Sequence, residues 1–128
     1  MRALRTVVLP AACGIFFAAA GFISQASAAC DVKGEIFYLH KNDTSRNTAK
    51  TDLYGCDLHF ISAGKIRFRS AAIVAKPKNG DLRKIAHLEF RYRPKPAFKG
   101  NDVFAVKVCG RTPKGSGCSI LHYEATVD

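Results

Sequence analysis

Beyond residue 30 the chain alternates apolar and polar positions in short runs. In Lys65-Ile66-Arg67-Phe68-Arg69 the two apolar side chains fall on one face and three cations on the other, the signature of a half-buried strand. His87-Leu88-Glu89-Phe90-Arg91-Tyr92-Arg93 repeats the pattern, with Leu88, Phe90 and Tyr92 inward. Phe104, Val106 and Val108 define the inward face of a further strand, and Leu121, Tyr123, Ala125 and Val127 that of the last. Residues 35–40, 53–61, 71–75 and 81–84 are additional strand candidates, whereas the polar residues 41–52 read as a surface loop. No window in this region carries a helical period. Seven or eight short strands at this spacing predict an all-β fold, a small antiparallel β-sandwich.

The first 29 residues follow another logic. Arg2 and Arg5 precede an apolar block over residues 7–23, and Ala26-Ser27-Ala28-Ala29 ends it. A basic start, an apolar middle and a small-residue end predict a secretory signal peptide over residues 1–29. The block approaches the ~18 residues that span a bilayer, but Pro10, Gly14, Gly21 and the cleavage-like end favour removal. Lipidation at Cys30 is a minor alternative, because Ser27 stands where lipoprotein signals usually have Leu. The expectation is one exported domain, residues 30–128, periplasmic or extracellular and without a membrane span after cleavage.

A domain of about a hundred residues hides only about 60–65% of its unfolded surface, so covalent help is useful. Cys13 leaves with the signal; Cys30, Cys56, Cys109 and Cys118 remain as an even set. Cys109 and Cys118 bracket a Gly-rich, hairpin-like loop over residues 110–117 and are expected to pair, which leaves Cys30 with Cys56. No two cysteines have the spacing of a zinc ligand pair, so neither a metal nor any cofactor is expected.

Charge is uneven. Residues 30–64 hold four Lys/Arg against five Asp/Glu, while residues 65–114 hold fourteen against three. Such a field favours an acidic glycan, an anionic lipid surface or an acidic protein as partner. The cations Lys65, Arg67, Arg69, Arg91, Arg93, Lys95 and Lys99 form the candidate patch. The plainer reading is that they keep sheet faces soluble and block edge pairing.

The stretch between Pro77 and Phe104 spells out loop chemistry. Asn79-Gly80 signals a tight hairpin turn; Pro94 and Pro96 end a strand; Phe98 plugs an otherwise polar loop. Gly100 permits a positive φ, and Asp102 is placed to accept hydrogen bonds from loop amides. This pattern resembles the bacterial immunoglobulin-like, cadherin-like modules of secreted and surface proteins. Their hallmark, a Pro-x-x-Gly turn followed by Tyr-x-Pro-x-Pro-x-Phe-x-Gly-x-Asp-x-Phe, is matched by Pro77, Gly80, Tyr92, Pro94, Pro96, Phe98, Gly100, Asp102 and Phe104. The resemblance covers residues 71–127 and implies an immunoglobulin-like sandwich that displays or spaces something, without an active site. Such modules usually occur in tandem, whereas one is present here. Some bind calcium between modules, but Asp102 lacks a carboxylate cluster and no calcium is expected.

Two further classes fit less well. A small, basic, exported, disulfide-bonded chain with His40, His59, His87 and His122 invites comparison with secreted ribonucleases, which need a general acid and base beside a cation. Strand alternation places these histidines on polar faces, and no nucleophile motif accompanies them. Single-strand nucleic-acid binding needs aromatics among the cations. Here Phe68, Phe90 and Tyr92 lie opposite Arg67, Arg69, Arg91 and Arg93 by parity, so no specific nucleic-acid site is expected. The sequence therefore points to an exported, non-enzymatic immunoglobulin-like module with a basic surface for anionic partners.

Overall fold

A computed structural model describes residues 30–128. The expected signal peptide and Cys13 lie outside the described residues. Eight strands make two sheets: β1 Asp31–Gly34, β2 Thr44–Thr51, β3 Cys56–His59, β4 Arg67–Ala75, β5 Gly80–Ala86, β6 Glu89–Pro94, β7 Gly100–Thr112 and β8 Gly115–Val127. A short 3-10 helix, Leu39–Lys41, lies between β1 and β2. One sheet has five strands in the order β1-β2-β8-β7-β4 and the other three, β3-β6-β5. The orders β3-β6-β5 and β4-β7-β8 reproduce the B-E-D and C-F-G arrangement of immunoglobulin-like sandwiches. All neighbouring strands run antiparallel except β2 and β8, which are parallel from Thr44↔Ile120 to Thr51↔Val127.

The core sits between the sheets. Phe90 and Tyr92 of β6 meet Phe104, Val106, Val108, Leu121, Tyr123 and Ala125 of β7 and β8, all buried. Phe104 is stacked between Tyr92 and Tyr123, with ring centroids 5.3 and 5.2 Å apart, so one aromatic column joins the two sheets. The expected inward faces of these strands are thus the observed ones.

Three local expectations change. Residues 44–51 form a strand, not a surface loop. Its inward positions, Ser45, Asn47, Ala49 and Thr51, are buried but carry no large apolar group, so the alternation was invisible to hydropathy. Their polar atoms are satisfied internally: the Asn47 amide donates to Ser45 Oγ and the His122 carbonyl, and Thr51 Oγ1 donates to the Gly55 carbonyl. Residues 35–40 are not a strand, and their last two residues enter the 3-10 helix that buries Leu39. The Asn79-Gly80 turn does not join hairpin partners either, since it carries the chain from β4 in one sheet to β5 in the other. Gly80 is needed there for close approach: a Cβ would lie 2.6 Å from the Tyr92 ring.

Both expected disulfides form. Cys109 and Cys118 are direct register partners on β7 and β8, 4.0 Å apart at Cα. The ladder continues beyond them to Thr112↔Gly115, so the turn is only Pro113-Lys114 rather than the whole of residues 110–117. Cys30, just before β1, bonds Cys56 at the start of β3, joining the two sheets. Its sulfur is therefore engaged in a disulfide rather than a lipid linkage. By loop length the inter-sheet bridge, closing 26 residues, adds about 3.5 kcal/mol and the hairpin bridge, closing nine, about 2.6 kcal/mol. Two disulfides suit an oxidising compartment. Among the described residues no helix is long and apolar enough to cross a membrane.

Candidate functional site

The motif residues converge, and on a structural task. Asp102, buried on β7, accepts hydrogen bonds from the Tyr92 hydroxyl at 2.8 Å, the Lys78 amide at 3.1 Å, the Asn79 amide at 3.2 Å and the Val103 amide at 3.2 Å. One carboxylate thus anchors the β4–β5 crossover to both sheets. Burial, then the hydrogen bond and charge of Asp102, push the Tyr92 phenol far above its usual range. Gly100 takes a φ of 129°, Phe98 packs partly buried against the core, and Pro94 closes β6. That Asp102 accepts from backbone amides was legible in sequence, but, Val103 apart, the donors are Lys78 and Asn79 of the β4–β5 crossover rather than its own loop. The Tyr92 hydroxyl was not legible, because parity says only that Tyr92 points inward.

The candidate cations do not share a face. Arg67 and Arg69 belong to β4 in the five-stranded sheet, and Arg91 and Arg93 to β6 in the three-stranded sheet, so the two pairs lie on opposite sides of the sandwich. Lys65 precedes β4; Lys95 and Lys99 lie in the β6–β7 connection.

Register then separates two outer faces, because directly paired residues project to the same side of a sheet. On the three-stranded face the row Asp57, Arg91, Arg83 crosses β3, β6 and β5. Two like charges side by side, Arg91 and Arg83, would repel, but each has its own acid. Arg91 makes a two-point contact with Asp57 at 2.8 and 3.0 Å, and Arg83 pairs with Asp81. His59 Nδ1 lies 3.0 Å from Glu89 in the next row. The hydrogen bonds from Arg91 hold the Asp57 carboxyl below its ordinary range. A groove of about 680 Å³ runs over this face past Arg83, Arg91, Arg93 and Lys95, yet much of its charge is internally neutralised.

The five-stranded face differs. Reading across register, Arg46 lies beside His122, Thr44 beside Ile120 beside Lys107, and Ser116 beside Arg111 beside Arg67. Lys50 occupies the β2 edge of the same face, opposite Asp31. Among the described residues none of Arg46, Lys50, Arg67, Lys107 and Arg111 forms an ion pair; Asp31 is bridged to Lys33. Glu124 is the remaining acid on that face, beside Thr48. A concavity of about 630 Å³ is centred on Arg46, His122 and Glu124 and extends to Lys76 and Lys78 of the crossover. Arg46 and Lys50 escaped the sequence reading because their strand looked like a loop. The signal available was their spacing, cations at i and i+4 with Thr48 between, on a strand whose inward residues are all small or medium-sized.

The histidines are distributed over the fold. His59 lies on β3, His87 in the β5–β6 turn, His122 on the five-stranded face and His40 in the 3-10 helix, and none of the described cavities is lined by two of them. Among the described residues no group of three or more His, Cys, Asp or Glu side chains is placed to hold a metal ion. Asn42 and Asp43 hold the β8 hairpin in place: Asn42 Oδ1 accepts the Cys118 amide at 2.9 Å, and the Asp43 carboxylate accepts the Ser119 hydroxyl and the Tyr38 amide. No protein-family profile matches the chain, and comparison with curated proteins returns no significant match.

Proposed function

We propose that this protein is an exported, non-enzymatic immunoglobulin-like binding module that holds an extended polyanion, such as an acidic polysaccharide, against the outer face of its five-stranded sheet. The observation that carries this reading is the set of five cations, Arg46 and Lys50 on β2, Lys107 and Arg111 on β7 and Arg67 on β4, which have no ion-pair partners among the described residues. Arginine forks and lysine point charges distributed over one sheet face suit a repeating anion better than a single small ligand. The opposite face has several cations as well, but its acids already occupy Arg83 and Arg91.

Export is part of the same proposal. It is supported by the two disulfides and by the signal-like first 29 residues. Retention on an immobilised acidic polysaccharide, followed as salt is raised, tests the binding. Screening over about 8–10 Å at physiological salt should release the protein at moderate ionic strength. Replacing Arg46, Lys107 and Arg111 together by Ser should abolish retention, whereas replacing Arg83 and Arg91 by Ser should leave it. Equal retention of both variants would overturn the assignment of the face.

A further inference from the structure

One cavity lies apart from both charged faces. The segment following β1, the start of β4 and the β7–β8 turn enclose a cleft of about 460 Å³ at one end of the sandwich. Its walls are apolar: Ile36, Phe37, Tyr38, Ile66, Phe68 and Pro113. Phe37 and Phe68 form its floor, with ring centroids 6.3 Å apart, and both pack partly buried against the core. The rim residues stay open to solvent, Ile36 at 80% and Ile66 at 41% relative exposure. A cleft of a few hundred Å³ with apolar walls and a few polar groups at its mouth has the character of a small-ligand site.

Charge at the mouth selects the ligand class. Lys114 lines the cleft, and Lys41 Nζ sits 4.7 Å from the centroid of the Tyr38 ring, which forms one wall. The one acid in the lining, Glu35, is turned toward β2, where its carboxylate accepts the Arg46 amide at 3.1 Å. An apolar body with a single negative head satisfies both parts of the site.

We infer that this cleft binds a single-chain anionic amphiphile of the long-chain fatty-acid class. The alkyl chain lies against Ile36, Ile66 and Phe68, and the carboxylate sits at Lys114. Removal of the chain's methylenes from water supplies the affinity, and the cation selects the head group. The site shares no lining residue with the polyanion face of Arg46, Lys50, Arg67, Lys107 and Arg111.

Displacement of an environment-sensitive fluorescent fatty acid by palmitate, below the concentration at which palmitate forms micelles, tests the inference. Saturable displacement at one site per chain is expected. Ile36→Asp, at an exposed position, should weaken binding about tenfold, equivalent to about 1.4 kcal/mol; Lys114→Glu should weaken palmitate several-fold without weakening the alcohol of the same length. The Arg46→Ser, Lys107→Ser, Arg111→Ser triple variant should bind palmitate as the unmodified protein does, which separates this site from the polysaccharide face. Absence of saturable displacement, unchanged affinity in Ile36→Asp, or equal affinity for acid and alcohol would each overturn the inference.

Discussion

The Asp102 corner and the outer face of the five-stranded sheet are both rich in polar groups, yet folding uses only one of them. At the corner the buried polar groups have partners: one carboxylate gathers a phenol and three amides, and Gly80 is bare so that Tyr92 can press against it. On the sheet face Arg46, Lys50, Lys107 and Arg111 are exposed and, among the described residues, outside any ion pair. The three-stranded face stands between these cases, since Asp57 and Asp81 hold Arg91 and Arg83 but not Arg93. The difference teaches where to look for function in a small sandwich. The segment with the most recognisable sequence is structural, and the cations with the least recognisable sequence context remain for binding.

The sharpest way to break this comparison is at the corner. Asp102→Ala leaves the Tyr92 hydroxyl and the Lys78 and Asn79 amides without their acceptor, and each such loss costs about 1–3 kcal/mol. A total of about 3–5 kcal/mol is expected, read from denaturant midpoints, with polysaccharide retention of the folded fraction unchanged. A corner variant that keeps full stability but loses binding would reverse the assignment of roles. Removing the disulfides one at a time gives the next largest effect. Replacing Cys30 and Cys56 by Ser should cost about 1 kcal/mol more than replacing Cys109 and Cys118, because the first bridge closes the longer loop.

Titration sharpens the contrast between buried and exposed groups. Tyr123 is pushed up to about 12 by burial, and Tyr92 higher still by burial and its bond to Asp102. The unfolded chain ionises its tyrosines near pH ~10, so the folded state binds more protons above that pH. Stability should therefore hold up to about pH 10 and fall as pH rises further toward 12. Tyr92→Phe should shrink the slope. At the acid end the signs reverse. Asp57 is lowered by the hydrogen bonds from Arg91; burial acts to raise Asp43, but its hydrogen bonds from Ser119 and the Tyr38 amide leave it lowered overall. These groups contribute stability above about pH 4 that is lost as pH drops through their folded values. A flat stability profile across both limits would contradict these assignments.

The smallest stability effect belongs to the faces. Arg91→Ser removes an exposed two-point pair with Asp57, which solvent screens, so stability should change little and polysaccharide retention should be untouched. The Arg46, Lys107, Arg111 triple Ser variant should change stability by no more than about 0.5 kcal/mol while abolishing retention. A triple variant that loses stability in proportion to binding would place those residues in the fold after all.

The fold was largely legible. Leu88–Tyr92, Phe104–Val108 and Leu121–Val127 announce their inward faces because each inward position holds an apolar group, large in all but Ala125, on a period of two. Both cysteine pairings followed from spacing and an even count. Strand β2 was not legible, because Ser45, Asn47, Ala49 and Thr51 are buried by small size and internal hydrogen bonds rather than by hydrophobicity. The apolar cleft was equally hidden. Ile36, Ile66 and Pro113 are far apart in sequence, and residues 35–40, read as a strand, are an irregular wall ending in the 3-10 helix.

By itself the sequence determined the all-β class and the inward sets of the long strands, and it favoured one cysteine pairing out of three, because these depend on period, spacing and local backbone preference. The crossover amides on Asp102 come from Lys78 and Asn79, brought there only by the tertiary fold. The sequence also set the excess of cations in residues 65–114. Only the tertiary structure decided which cations stand together. Parity along one strand says that Arg67 and Arg91 both point outward, but the topology puts β4 and β6 in different sheets, so outward means opposite directions. The parallel pairing of β2 with β8 then brings Arg46 and Lys50 onto the face with Lys107 and Arg111, a juxtaposition across some sixty residues that no local pattern encodes.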